Sequence, residues 1–210
     1  MHHYIYLASQ NPRRQELLNQ IGVTFELLLA DASEDAESLE AHIPGEAALH
    51  YVVRVTLAKL QAAYQRLQKR HLPWAPIVCA DTTVAITLGD QEMILGKPAD
   101  EADAKRILQT LSGKTHQVHT AIALLATELA EPKMLVSSSN VTFRALDDAE
   151  INAYIATGEP MGKAGAYGIQ GVAGTLISHI SGSFSSIMGL PLYETAQLLQ
   201  ETGIKFSLQH

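Results

Sequence analysis

The sequence contains a single cysteine, Cys79. It cannot form an internal disulfide, and a reducing compartment, the cytoplasm, is expected. Cys79 lies in an apolar run and reads as a buried small hydrophobe. No apolar run approaches the about 20 residues of a membrane-spanning helix, so no membrane partner is expected. No basic stretch precedes an apolar one near the start, so no secretory signal is expected. Positive charge is also scarce: 15 Lys and Arg stand against 22 Asp and Glu, for a net charge of −7. A nucleic-acid partner, which requires a basic face, is therefore not expected. A few cations focused in one cleft could still hold a phosphorylated small molecule inside an acidic shell. The chain lacks internal repeats, low-complexity segments, the Gly-x-x-x-x-Gly-Lys-Ser/Thr phosphate loop, a nucleophile elbow and a serine–histidine triad. Its histidines show no metal-ligand spacing; His116 and His119, three apart in a strand, point to opposite faces.

What remains is a globular chain of 210 residues, 47% hydrophobic and 18% charged, long enough for a sizeable core and read as one domain over residues 1–210. Strands are predicted over 4–8, 25–29, 77–86, 92–95 and 176–180, with a long hairpin over 117–125 and 134–144. Helices are predicted over 12–20, 46–70, from Asp100 or Asp103 to Leu111, from Asp147 to Thr157, and from Pro191 to about Thr202. Early strand–helix alternation and later hairpins predict an α/β fold. Its mixed sheet is flanked by helices, in two lobes with a cleft between them.

Five stretches carry candidate chemistry. In Asn11-Pro12-Arg13-Arg14, Asn11 caps a helix and Pro12 opens it. The two arginines then stand at the positive end of the helix dipole, at a cost of roughly 0.3–1 kcal/mol each. A bound phosphate there relieves this, as do solvent or nearby carboxylates. Asp81, in Asp81-Thr82-Thr83, reads either as a strand-end acceptor of backbone hydrogen bonds or as a metal ligand or general base. The acidic stretch 31–47, with Glu34, offers a second carboxylate, and paired carboxylates plus phosphates hold Mg²⁺. Lys97 stands between turn formers in Gly96-Lys97-Pro98, and Lys114 suits the C-terminal end of a helix. Finally, Lys163-Ala164-Gly165-Ala166-Tyr167-Gly168-Ile169-Gln170-Gly171 lets backbone approach a ligand or another segment closely. Gln170 there carries the donor and acceptor needed to read a base edge. Tyr167 and Phe184 read as core aromatics or as stacking platforms.

Taken in order, these segments resemble the Maf-like nucleotide pyrophosphatases. The resemblance runs through Leu7-Ala8-Ser9, Pro12-Arg13-Arg14 and Glu16-Leu17-Leu18, then Arg54 with Lys59, Ala80-Asp81-Thr82 with Val84, and Gly96-Lys97-Pro98. It continues through Leu111-Ser112-Gly113-Lys114-Thr115-His116-Gln117-Val118, the 163–171 loop and Gly189-Leu190-Pro191-Leu192. It implies a Maf/ITPase-like fold with a deep cleft, a homodimer, and hydrolysis of nucleoside triphosphates to monophosphate and pyrophosphate with a divalent metal, Mg²⁺ or Mn²⁺. It implies Asp81 as the catalytic carboxylate, Asp81 and Glu34 as metal ligands, and Ser9, Arg14, Lys59, Lys97 and Lys163 as phosphate contacts. Specificity falls on Arg13, Thr82 and Gln170, the combination of the branch acting on dTTP and UTP. The chain departs from the family pattern at Gly162, where an acid is frequent, in Ala32-Ser33-Glu34-Asp35, and at Phe184-Ser185-Ser186. Two other functions fit the same residues: a non-enzymatic nucleotide sensor, or the same fold acting on 7-methyl-GTP or another modified nucleotide.

Overall fold

The computed structural model describes residues 2–32, 34–35, 38–200 and 202–207; Ser33 and Glu37 of the acidic stretch lie outside the described residues. The strands are β1 (Ile5–Leu7), β2 (Phe25–Leu27), β3 (Ile77–Leu88), β4 (Gln91–Leu95), β5 (Thr115–Leu125), β6 (Lys133–Phe143) and β7 (Ile177–Ser181). The helices are α1 (Pro12–Gln20), α2 (Ala48–Lys69), α3 (Glu101–Leu111), α4 (Asp148–Ala156), α5 (Phe184–Met188) and α6 (Leu192–Gln200). Among the described residues no helix is long and apolar enough to cross a membrane.

The helix starts follow local chemistry. The Asn11 side chain accepts from the Arg13 amide, Asp100 accepts from Asp103, and Asp147 with Glu150 forms a reciprocal capping box. α2 is different, because Ala47 offers it no side chain. Its Ala48 amide donates instead to the Glu92 carboxylate of β4 at 2.7 Å, a cap supplied from 44 residues away. The short α5 was not anticipated. Ser183 caps it by accepting from the Ser186 amide, a local signal that five residues of helix are too brief to reinforce by periodicity.

The sheet is mixed, in the order β2-β1-β3-β5-β6-β7, with β4 also on β3. β3 is the axis. One edge pairs antiparallel with β5 from Ile77 to Ala85 without a break. On the other edge, parallel β1 covers only Ile77 and Val78, and antiparallel β4 begins at Val84. Between them, among the described residues, the edge from Cys79 to Thr83 has no strand partner, and there the sheet forks into two halves. Chains leaving the carboxyl end of a parallel strand beside such a fork open a crevice. β1 runs out at this point into Ala8 and Ser9, and Asp81 stands on the facing strand.

Each half has its own core. On the β1 side, α1 and α6 cover one face around Leu7, Leu18, Ile122 and Leu190, and α2 covers the other around Tyr6, Leu60 and Ile77. On the β4 side, α3, α4 and the glycine-rich loop pack around Val84, Leu108, Phe143 and Tyr167. That loop sits directly on the sheet: the Gly165 amide donates to the Gly96 carbonyl at 3.1 Å. Gly165 has φ +70°, and a Cβ there would meet Val84 Cγ1 at 2.9 Å. Gly165→Ala therefore combines left-handed strain with a core clash. It should destabilise the protein by about 1–3 kcal/mol, read as a lower urea midpoint at unchanged slope.

Candidate active site

The fork opens into a cleft of about 570 Å³, walled by the start of α1, the inner face of α2, the middle of β3, the exit of β4, the glycine-rich loop and the end of α5. It concentrates cations in an acidic chain: Arg13, Arg14, Lys59, Lys97 and Lys163 all line it.

The two arginines of α1 have protein partners as well as a cleft wall. Arg14 is buried; its Nε donates to the Gly189 carbonyl at 2.8 Å and its Nη1 to Ser9 Oγ at 2.9 Å. Arg13 Nε donates to the Met188 carbonyl at 3.2 Å. Those carbonyls close the C-terminal end of α5, the negative pole of a second helix. The unfavourable placement at the start of α1 is thus offset by the end of α5, with no carboxylate in direct hydrogen bond to either guanidinium among the described residues. Burial lowers the pKa of both guanidiniums, and for Arg14 the nearby Asp81 opposes that shift.

At the fork an ion chain crosses the cleft. Lys59 of α2 reaches Asp81 Oδ1 at 2.5 Å and Glu40 Oε1 at 2.7 Å, and Lys97 reaches Glu40 Oε2 at 2.8 Å. Burial alone would depress the Lys59 pKa, yet its two carboxylate neighbours outweigh burial and raise it. Burial would raise that of Glu40, but Lys59 and Lys97 pull it down to about 2. The Tyr51 hydroxyl donates to the Glu40 carbonyl at 2.9 Å and fixes that residue's backbone. Beside Asp81, Thr82 Oγ1 lies 3.0 Å from Thr120 Oγ1, whose hydroxyl donates to the Ser186 carbonyl at 2.8 Å. Lys163 donates to the Glu159 carbonyl; burial foremost, then neighbouring Arg13, lowers its pKa.

The sequence profile of Maf-like proteins matches residues 4–202. The chain belongs to the Maf-like family. It is 56% identical to the dTTP/UTP pyrophosphatase of Albidiferax ferrireducens, over 98% of this chain and 100% of that protein. It is 54% identical to the one of Cupriavidus pinatubonensis, over 98% and 100%, and 56% identical to the one of Ralstonia nicotianae, over 97% and 96%. The solved Ham1 protein of Staphylococcus aureus aligns over 67% of this chain and 71% of its own at 13% identity and a TM-score of 0.36, a likeness too slight to argue from.

Of the positions singled out by the Maf-like resemblance, Ser9, Arg13, Arg14, Lys59, Asp81, Thr82, Lys97 and Lys163 share the cleft wall. Two do not. Gln170 is exposed at the far end of its loop. Glu34, expected as a metal ligand, is turned away: its carboxylate takes Arg66 Nη2 at 2.6 Å and Nε at 2.8 Å, with Arg70 at 3.4 Å. Arg66, buried on α2, also donates to the Leu28 carbonyl at 2.7 Å, so Glu34 pins the start of the acidic loop to α2. The carboxylate that stands beside Asp81 is Glu40. Sequence reasoning passed over it because it is one of several acids in an irregular stretch, and only its register against Lys59 sets it apart. Tyr167 belongs to the core, whereas Phe184 is half exposed. Lys114 donates to the Thr110 carbonyl at the end of α3, the structural role its position predicted.

Among the described residues no group of three or more His, Cys, Asp or Glu side chains is placed to hold a metal unaided. Asp81 and Glu40 are nonetheless an all-oxygen pair, the donor type that Mg²⁺ and Mn²⁺ complete with phosphate oxygens.

Two buried histidines give the fold a pH signature. Burial pushes His116 down to about 4 and lowers His119 as well. Both bind protons more readily when unfolded, so stability is full above about 6.5 and falls as pH drops from there toward about 4. Urea unfolding at pH 7.5 and pH 5 should show the lower midpoint at pH 5.

Proposed function

We propose that this protein is a nucleoside triphosphate pyrophosphatase that hydrolyses dTTP and UTP to the monophosphate and pyrophosphate. The observation that carries this reading is the gathering of six cations, Arg13, Arg14, Lys59, Arg66, Lys97 and Lys163, with the carboxylates Asp81 and Glu40 around a single cleft of an acidic protein. The names of relatives above half identical over nearly the whole chain agree with it.

A triphosphate is the anion that such a cleft fits. Arg14, Lys59, Lys97 and Lys163 with Ser9 take its phosphates, and Arg13 and Thr82 stand where nucleotide choice is made. Gln170, whose side-chain nitrogen lies with the end of Lys163 over Gly168, completes the recognition by its carbonyl and amide. Water attacks the α-phosphorus, the bond from that phosphorus to the bridging oxygen breaks, and pyrophosphate leaves with that oxygen. Charge grows on the phosphoryl oxygens, so preorganised cations carry most of the acceleration. Asp81 orients the water and receives its proton; Lys59 holds Oδ1, which leaves the other oxygen for that work. A divalent cation held by Asp81 and Glu40 would supply further neutralisation of the phosphates. Lys59, still bonded to Asp81, and Lys97 exchange Glu40 for phosphate.

Asp81→Asn should lower kcat for dTTP by about 10²–10⁴-fold with the fold intact by circular dichroism. Near-normal turnover would overturn its assignment. In a pyrophosphate-release assay at equal concentrations, dTTP and UTP should exceed CTP and 7-methyl-GTP; preference for the methylated guanine would overturn the substrate reading. Glu40→Gln should raise the Mg²⁺ or Mn²⁺ concentration needed for half-maximal rate. Glu34→Gln should leave that concentration unchanged and lower stability by about 1–3 kcal/mol, because buried Arg66 loses its carboxylate.

A further inference from the structure

Three anchors hold the glycine-rich loop in place. Near its start, the Gly165 amide is bonded to Gly96. Just past its end, the Glu159 carboxylate accepts from the Val172 amide at 2.9 Å, the Ala173 amide at 3.2 Å and the Tyr154 hydroxyl at 2.9 Å. The third anchor reaches its middle. Tyr167 turns into the lobe core, and its hydroxyl lies 2.8 Å from Nε2 of His116 on β5. Phe143 closes a three-ring cluster with centroid separations of 5.0–5.4 Å, all edge to face.

Packing alone does not explain this pair. His116 is 1% exposed, Tyr167 is 6% exposed, and among the described residues Nδ1 of His116 has no hydrogen-bond partner. Burying an imidazole and a phenol, and leaving one ring nitrogen unpaired, is dearer than burying two phenyl rings of the same shape. What the polar pair adds is direction. A hydrogen bond sets where the Tyr167 ring stops, and Tyr167 is also among the residues that line the cleft. Lys163 lies four residues before it and Gln170 three after.

We infer that His116 is a positioning residue for nucleotide recognition. Through the Tyr167 hydroxyl it sets the height of the 163–171 loop on the cleft wall, and so the places of Lys163 and Gln170. The inference rests on the proposed pyrophosphatase reading for its kinetic consequence, but not for its structural one.

The test compares His116→Phe, Tyr167→Phe, the double variant and His116→Gln, which retains a donor and an acceptor. Each phenylalanine single variant should raise KM for UTP about tenfold while kcat stays within about twofold, the pattern of lost binding rather than lost chemistry. Amide hydrogen exchange should rise in residues 163–171 and not in α2. The double variant, with neither polar atom left buried and unpaired, should recover thermal stability but not KM. His116→Gln should recover most of both. An unchanged KM in the phenylalanine single variants would overturn the inference. So would a double variant whose KM recovers together with its stability, because the pair would then serve folding alone. If His116→Phe does not fold, Tyr167→Phe, which removes one oxygen atom, carries the same comparison. If the unmodified protein releases no pyrophosphate from UTP, the functional reading fails. The exchange comparison still decides the anchor, and unchanged exchange in the loop would overturn it.

Discussion

The ammonium of Lys59, set between Asp81 and Glu40, is the contact on which the site depends. Three segments meet there: β3 brings Asp81, α2 brings Lys59, and the acidic loop brings Glu40. Lys97 extends the contact to the exit of β4. Two carboxylates drawn this far from water repel one another and are costly to desolvate, and the lysine between them makes the arrangement tolerable. A partly buried ion chain is rarely the most stable filling for a cleft. What it sets in the cleft is two carboxylates and two ammoniums, paired with one another.

The fork in the sheet explains why these groups meet where they do. A β3 paired along both edges would bury Asp81 among strands with nowhere for a ligand to approach. Because the pairing of β3 with β1 stops at Val78 and that with β4 starts at Val84, five residues of strand edge face the crevice. β5 meanwhile holds the opposite edge rigid throughout. The same economy appears at the entrance, where the carbonyl end of α5 receives both arginines of α1. The guanidiniums are thereby held in fixed orientations, the condition that the proposed electrostatic catalysis requires.

Much of this was legible in one dimension. Caps at Asn11, Asp100 and Asp147, the long β5–β6 hairpin and the long α2 follow from local rules that need no tertiary contact. Cations at the start of α1 and an aspartate within an apolar strand each broke a local preference. Residues that break such rules gather at sites, and these came together in the cleft with Lys97, which by itself reads as an ordinary turn lysine. Glu40 broke no rule, since an acid in an irregular acidic loop is ordinary, and so it was invisible. Glu34 was equally ordinary, and its partner Arg66 lies 32 residues away on the inner face of α2.

By itself, then, the sequence determined the kinds of group this protein possesses and the elements that carry them, because helix caps, strand alternation and charge balance act over a few residues. Only the tertiary structure decided which carboxylate faces Asp81, what neutralises the arginines of α1, what caps α2, and that Tyr167 hangs from His116. Each of those is a contact between segments far apart in the chain. Its existence depends on strand register and on where β3 loses one neighbour before gaining the next, and no local rule encodes that distance.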